Sequence, residues 1–413
     1  MSLLCKKAIG KEIKNNILTL SEEARIAKEK DPTIINATIG MLYDDDEKLM
    51  RFPTLEKIQE TLTIVEKYAY ADTTGGKDFA LAIKKWVFRN YLSEFEKNMH
   101  LSVISTPGGS GAISNTFSNY LNEGEKVLLP SYMWSAYKNM ARELGIICDT
   151  YELFENKRFN LSSVKEKILE HKKNQGRVLL VINDPCHNPT GLCLKHEEWQ
   201  ELVSFINEVT TDGTPFILLY DMAYIDFYNA GFDYSRQNIR LFQRFNDSVL
   251  TVLAFSGSKT FSLYGLRVGA MIGLSKKESD IIEFNNANEY SSRAKWSNVS
   301  KLGLSIITKC ILNDTYKNAF EQELSYAKEL LEKRSTALIK ALNSFGIEPL
   351  PFDCGFFVCI KVDHPTLVKD ALVELGCYVI PLDNAIRIAI CSIVEKDMLP
   401  LAQKISQVLK GRQ

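Results

Sequence analysis

Short runs of apolar residues without alternation recur through the middle of the chain. They lie at Lys126–Leu129 (KVLL), Val178–Ile182 (VLLVI), Phe216–Tyr220 (FILLY) and Val249–Phe255 (VLTVLAF). Apolar on both faces, such runs suit strands of a parallel sheet covered by helices. Between them, apolar residues return every three or four positions, which predicts helices over 78–91, 111–120, 194–209 and 318–343. Alternation of the two kinds of segment predicts an α/β architecture. After the last helix the pattern becomes a smaller unit: PFDCGFFVCIKV as strand, HPTLVKDALVELG as helix, then CYVIPLD and AIRIAICS as strands. The domain change is therefore expected near residue 310.

Composition narrows the options. The chain has 413 residues, 45% of them hydrophobic and 24% charged, the balance of a globular protein of two or three domains. Fifty Lys and Arg against 51 Asp and Glu leave a formal charge of -1. That surface supplies no general attraction to phosphate backbones or anionic membranes, so neither nucleic acid nor membrane is expected as a partner. No apolar run approaches the ~18 residues of a membrane span, and the amino terminus shows no secretory signal. Nine cysteines occur without a CxxC pair, and five histidines without HxxxH or HxH spacing. The expectation is reduced thiols in a cytoplasm and no metal.

Four polar clusters fall at or just after strand ends, where open α/β sheets bind ligands. Thr106–Ala112 (TPGGSGA) runs into a helix, so its small residues and free N–H groups, with the Ser110 hydroxyl, suit an anion. A tight connection is the alternative. Asn183–Gly191 (NDPCHNPTG) forms a turn from which Asn188 projects. In Tyr220–Phe227 (YDMAYIDF), Asp221 ends a buried strand and needs a cation, either an arginine or a protonated ring nitrogen, while Tyr224 lies within reach of the same ligand. In Phe255–Gly269 (FSGSKTFSLYGLRVG), Lys259 emerges at a strand end with Arg267 eight positions later. An amine kept neutral beside another cation suits Schiff-base chemistry.

Taken together, NPTG at 188–191, YDMAY at 220–224 and SGSKTFSLYGLRVG at 256–269 resemble the class I aminotransferases, fold type I enzymes that use pyridoxal 5′-phosphate. The resemblance spans residues 36 to 392. It implies a large domain (48–309) with a mostly parallel sheet between helices. A smaller α+β domain is then built from both termini, 1–47 and 310–413. It implies Lys259 as the Schiff-base lysine, Asp221 as partner of the pyridine nitrogen, and Tyr224 and Asn188 on the phenolic oxygen. The phosphate falls to Gly109, Ser110, Gly111, Ser256, Ser258 and Arg267, with Tyr70 reaching it from a second protomer of a homodimer. Arg387 is implied for the substrate α-carboxylate and Gly40 for packing beside the substrate. The loop PSYMWSAY supplies a stacking ring, Tyr132 or Trp134, with Trp134 preferred. Tyr137 stands where many relatives carry a histidine behind the ring-nitrogen carboxylate. Arg293, in RAKWSN, matches the arginine that dicarboxylate-using relatives donate across the dimer; its other reading is a surface residue. Cys186 and His187 take no role in the resemblance and are read as packing or solvent-facing.

The implied activity is a ping-pong transfer of an amino group from an acidic or aromatic L-amino acid to a 2-oxo acid, with 2-oxoglutarate as the expected acceptor. A fold type I lyase or decarboxylase, or a non-catalytic ligand sensor, are the competing readings.

Overall fold

The computed structural model describes residues 2–5, 8–12 and 17–411. It contains a seven-stranded sheet of β1 (His100–Thr106), β2 (Lys126–Pro130), β3 (Ile147–Tyr151), β4 (Val178–Asn183), β5 (Phe216–Asp221), β6 (Val249–Ser256) and β7 (Gly269–Ser275). Across the sheet the order is β1-β7-β6-β5-β4-β2-β3. All neighbours are parallel except those of β7, which runs antiparallel to β1 and β6. The architecture is α/β, with β4, β5 and β7 buried at every position.

Each of the four strands expected from apolar runs is present and runs one residue further, to Pro130, Asn183, Asp221 and Ser256. The apolar pattern stops with the last hydrocarbon side chain, whereas the backbone ladder continues: Asn183 pairs with Asp221, Asp221 with Ala254, and Ser256 with Gly269. The sheet thereby presents polar residues at its carboxyl end. Strands β1 and β3 lie at the edges, where half-exposed polar residues interrupt the run. Strand β7 (GAMIGLS) is buried yet too rich in glycine to read as an apolar run.

The chain packs as two compact units, Leu49–Lys333 with Leu350–Phe356, and Met1–Lys48 with Arg334–Pro349 and Phe357–Gln413. The change expected near 310 instead falls inside the helix Lys301–Leu312 of the first unit. The division comes between Lys333 and Arg334, within the 31-residue helix Asp314–Ser344. A continuous helical period carries no boundary signal, so the crossing is invisible in the pattern. The second unit holds an antiparallel sheet of Phe357–Lys361, Ala385–Ala389 and Ile380–Pro381, together with a short parallel pair, Ile35–Asn36 on Cys377–Tyr378.

A buried ion pair anchors the first unit. Arg236 donates to Asp226 at 2.6 Å with both side chains wholly enclosed. Trp86 Nε1 and the Thr260 hydroxyl donate to the other carboxylate oxygen at 2.9 and 2.7 Å. Burial alone would raise the Asp226 carboxyl, but Arg236 and these donors outweigh it and hold it below the usual range. Removing one member leaves an uncompensated charge. Arg236→Met is therefore expected to lose about 3–5 kcal/mol in urea unfolding followed by tryptophan fluorescence, and adding Asp226→Leu should recover part of that loss.

Candidate active site

The carboxyl ends of β1, β4, β5 and β6 bring four segments together. Lys259 sits in the single helical turn Gly257–Thr260 that follows β6. Its neighbour Thr260 is fixed by the bond to Asp226, so the backbone that bears the lysine is tied to the buried ion pair. The Lys259 amine lies 4.9 Å from the ring centroid of Tyr264, 5.6 Å from that of Tyr224 and 5.7 Å from that of Phe356. Tyr224 is itself buried and packs on Phe356 at 5.1 Å. An amine among ring faces is partly stripped of water.

Asp221 ends β5 in register with Asn183 and Ala254. Tyr137 donates to its Oδ2 at 2.5 Å and the Ala223 N–H to Oδ1 at 3.2 Å. Burial pushes the Asp221 carboxyl up to about 6, against the lowering effect of these two donors. Burial, and then the Asp221 charge, drive the Tyr137 phenol well above its usual range, so Tyr137 keeps its proton and acts as donor. Where the resemblance leads to the expectation of a histidine, a phenol holds the carboxylate. Trp134 packs edge-on against Tyr137 at 5.6 Å, whereas Tyr132 turns to Phe154 at 5.7 Å. Of the two rings, Trp134 is the one next to the Asp221 pair.

Asn188 lies in the loop after β4, whose Asp184–Pro185 and Asn188–Pro189 bonds are both cis. The Asn183 side chain accepts from the Asn188 N–H at 2.7 Å and donates to the Asp221 carbonyl at 2.8 Å. A single amide thus ties the Asn188 loop to the strand bearing Asp221. Asn183 was not expected; its position one residue past an apolar run was the available signal.

The third element is an anion cradle. The helix expected from residue 111 begins at Gly108 and runs to Tyr120, so Gly109, Ser110 and Gly111 lie in its first turn, where the Gly109 and Ser110 N–H groups are free of helical partners. Arg267 donates to the Ser258 hydroxyl at 3.1 Å, the Tyr264 carbonyl at 3.0 Å and the Pro107 carbonyl at 3.4 Å. All three acceptors are neutral, and burial lowers the guanidinium from its usual value. Gly108, missed from the sequence, has φ +70, and a Cβ there would sit 2.8 Å from an Arg267 nitrogen. Glycine keeps that face of the arginine open.

The model of aminotransferase class I and II matches residues 32–405. The chain belongs to that family. It is 29% identical to an aminotransferase of Anaerococcus prevotii, whose crystal structure superposes with a TM-score of 0.94 over 98% of this chain and 99% of the other. It is 24% identical to the aspartate aminotransferase of Salmonella typhi, over 92% of this chain and 94% of that one. An aromatic-amino-acid aminotransferase of Burkholderia pseudomallei, covalently bound to pyridoxal phosphate, shares the fold. Its TM-score is 0.82 at 22% identity, over 99% of this chain and all (100%) of the other. The chain is a pyridoxal-phosphate-dependent transaminase of fold type I.

The residues present suit that cofactor: an anion cradle of arginine, hydroxyls and helix N–H groups, an enclosed carboxyl whose donors are neutral, and an amine among rings. Arg293 is exposed near the end of the helix Glu278–Lys295 and donates to Ser297. Tyr70 is 91% exposed. Arg387 is buried in the second unit, where it donates to the Thr38 carbonyl at 2.7 Å and stacks over Phe357 at 4.3 Å. Gly40 lies two residues beyond Thr38.

Asp221 gives a pH-dependent test on the cofactor-free chain. Its folded value, about 6, lies above the ordinary 3.8, so the folded state is penalised wherever the carboxylate must ionise. The penalty is absent below the ordinary value and complete above about 6, where it amounts to about 3 kcal/mol. Asp221→Asn is expected to melt higher than the parent above pH 6, with the advantage fading as pH falls toward 4 (differential scanning fluorimetry).

Proposed function

We propose that the chain passes the amino group of an acidic or aromatic L-amino acid to 2-oxoglutarate in a ping-pong cycle. The observation that carries this reading is the convergence of Lys259, the enclosed Asp221 carboxyl and the Arg267 cradle at one end of one sheet. Family membership favours transfer over the lyase and ligand-sensor readings. The substrate classes follow from the aspartate and aromatic-amino-acid enzymes among its relatives.

In this reading Gly109, Ser110, Gly111, Ser256, Ser258 and Arg267 hold the phosphate of pyridoxal phosphate, and Asp221, oriented by Tyr137, holds charge on the ring nitrogen. Asn188 and Tyr224 bond its phenolic oxygen, and Trp134 covers its face. When bound, the cofactor supplies an electron sink for the pair released as the substrate loses its α-proton. The Lys259 amine takes that proton and returns it on the other side of the transfer. Arg387 grips the substrate α-carboxylate, with Gly40 leaving room beside it. Arg293 receives a second carboxylate.

We also assign a homodimer. Ile64, Val65, Tyr68 and Tyr70 are 67–91% exposed along one short helix and its exit, an apolar surface suited to a second copy. Tyr70 then reaches the partner's phosphate site. Nine free cysteines fit a reducing, cytoplasmic setting. No helix among the described residues is long and apolar enough to cross a membrane.

A panel of amino donors with 2-oxoglutarate, read as release of the matching 2-oxo acid, tests the proposal; no turnover with acidic or aromatic donors would refute it. Lys259→Ala is expected to abolish turnover with an unchanged circular dichroism spectrum. Arg293→Ala should lower kcat/KM for acidic donors about ten- to hundredfold, the worth of a charge-assisted pair, and spare aromatic donors. Equal loss for both classes would remove Arg293 from specificity.

A further inference from the structure

Three cysteines that sequence spacing kept apart meet inside the first unit. Cys186 and Cys193 flank the Asn188 turn, and Cys354 comes from the returning segment Leu350–Phe356. The Cys354 sulfur lies 3.4 Å from Cys186 Sγ and 3.4 Å from Cys193 Sγ, and all three sulfurs fall within 4.8 Å of one another. All three residues are buried.

The backbone is shaped to make this meeting. Cys186 is held at φ 60, a left-handed conformation that side-chain-bearing residues adopt only when their surroundings impose it. Gly355 has φ +117, and a Cβ there would come 2.7 Å from Cys186 Cβ. A Cβ on Gly191 would strike Phe352 at 2.2 Å. The Asp353 and Cys354 N–H groups both donate to the Gly191 carbonyl, at 3.0 and 3.1 Å. Asp353 in turn accepts from the Cys193 N–H at 2.8 Å. Two glycines and a short hydrogen-bonded clasp therefore bring three thiols into contact where aliphatic residues would pack more simply.

We propose that Cys186, Cys193 and Cys354 form a binding site for a single soft, thiophilic d10 cation, of which copper(I) is the physiological representative. Sulfur ligands select soft ions and exclude magnesium and calcium. Three sulfurs around one ion at about 2.3 Å stand about 4 Å apart when coplanar, and the observed contacts of 3.4 Å and the 4.8 Å limit bracket that spacing. Structural zinc takes four ligands, whereas this group of His, Cys, Asp and Glu side chains has three members among the described residues. Cys354 already meets both other sulfurs through S–H···S contacts in which either atom can donate. Binding replaces the three S–H bonds with sulfur–metal bonds, releasing up to three protons and involving no change of oxidation state. The ion joins the Asn188 loop to the segment ending at Phe356, the ring beside Tyr224 and Lys259. The site is independent of the transaminase reading.

Titrating reduced holoenzyme with copper(I), buffered by a chromogenic chelator, tests this. One ion per chain is expected, with a thiolate-to-metal charge-transfer band, a raised melting temperature and three sulfur neighbours by X-ray absorption on the unmutated protein. Cys186→Ser, Cys193→Ser and Cys354→Ser should each lose the band, while Cys310→Ser, a buried cysteine elsewhere, keeps it. Absence of binding, a band that survives in all three serine variants, or a sulfur count other than three would overturn the proposal. A triad disulfide in the isolated protein, with no ion bound after reduction, would overturn it equally and reveal a thiol–disulfide pair in its place.

Discussion

Enclosing a carboxylate without a cation is costly, and the middle of this chain does so at the end of its central strand. Asp221 sits where water is excluded, held by a phenol and one N–H group, neither of which carries charge. The rest of the site is arranged around that unmet demand. Strand register sets Asn183 beside it, Asn183 fixes the Asn188 loop, and Tyr137 brings Trp134 alongside.

Two further buried carboxylates show how deliberate the difference is. Asp226 faces Arg236 and stays ionised. Asp184 accepts from Leu194 N–H, Trp199 Nε1 and the Tyr220 hydroxyl, and burial still pushes it up to about 7. One acid is satisfied by a cation and one is crowded by neutral donors. Asp221, at about 6, lies between them. The same logic, inverted, governs Arg267, a cation whose contacts are all neutral oxygens.

Much of this was legible from the amino acids. Apolar runs located four of the five inner strands because those strands are buried on both faces, and past three of the runs a polar residue, Asn183, Asp221 or Ser256, continues the ladder. What escaped had physical reasons. Edge strands β1 and β3 break their own pattern with solvent-facing residues, and β7 substitutes glycine and serine for bulk. The division inside Asp314–Ser344 leaves the helical period unbroken. Gly108 and Asn183 matter through close approach and through a bridging amide, which need coordinates. The meeting of Cys186, Cys193 and Cys354 joins positions separated by up to 168 residues, and no local spacing reports it.

The bond from Thr260 to Asp226 carries one more implication. Because the residue after Lys259 is bolted to an ion pair that solvent never reaches, the main chain at Lys259 has its address before any ligand arrives. Only the four methylenes of that side chain are left to swing. Travel of that amine is thereby confined to a short tether on a stationary post, set by the scaffold and not by anything it binds.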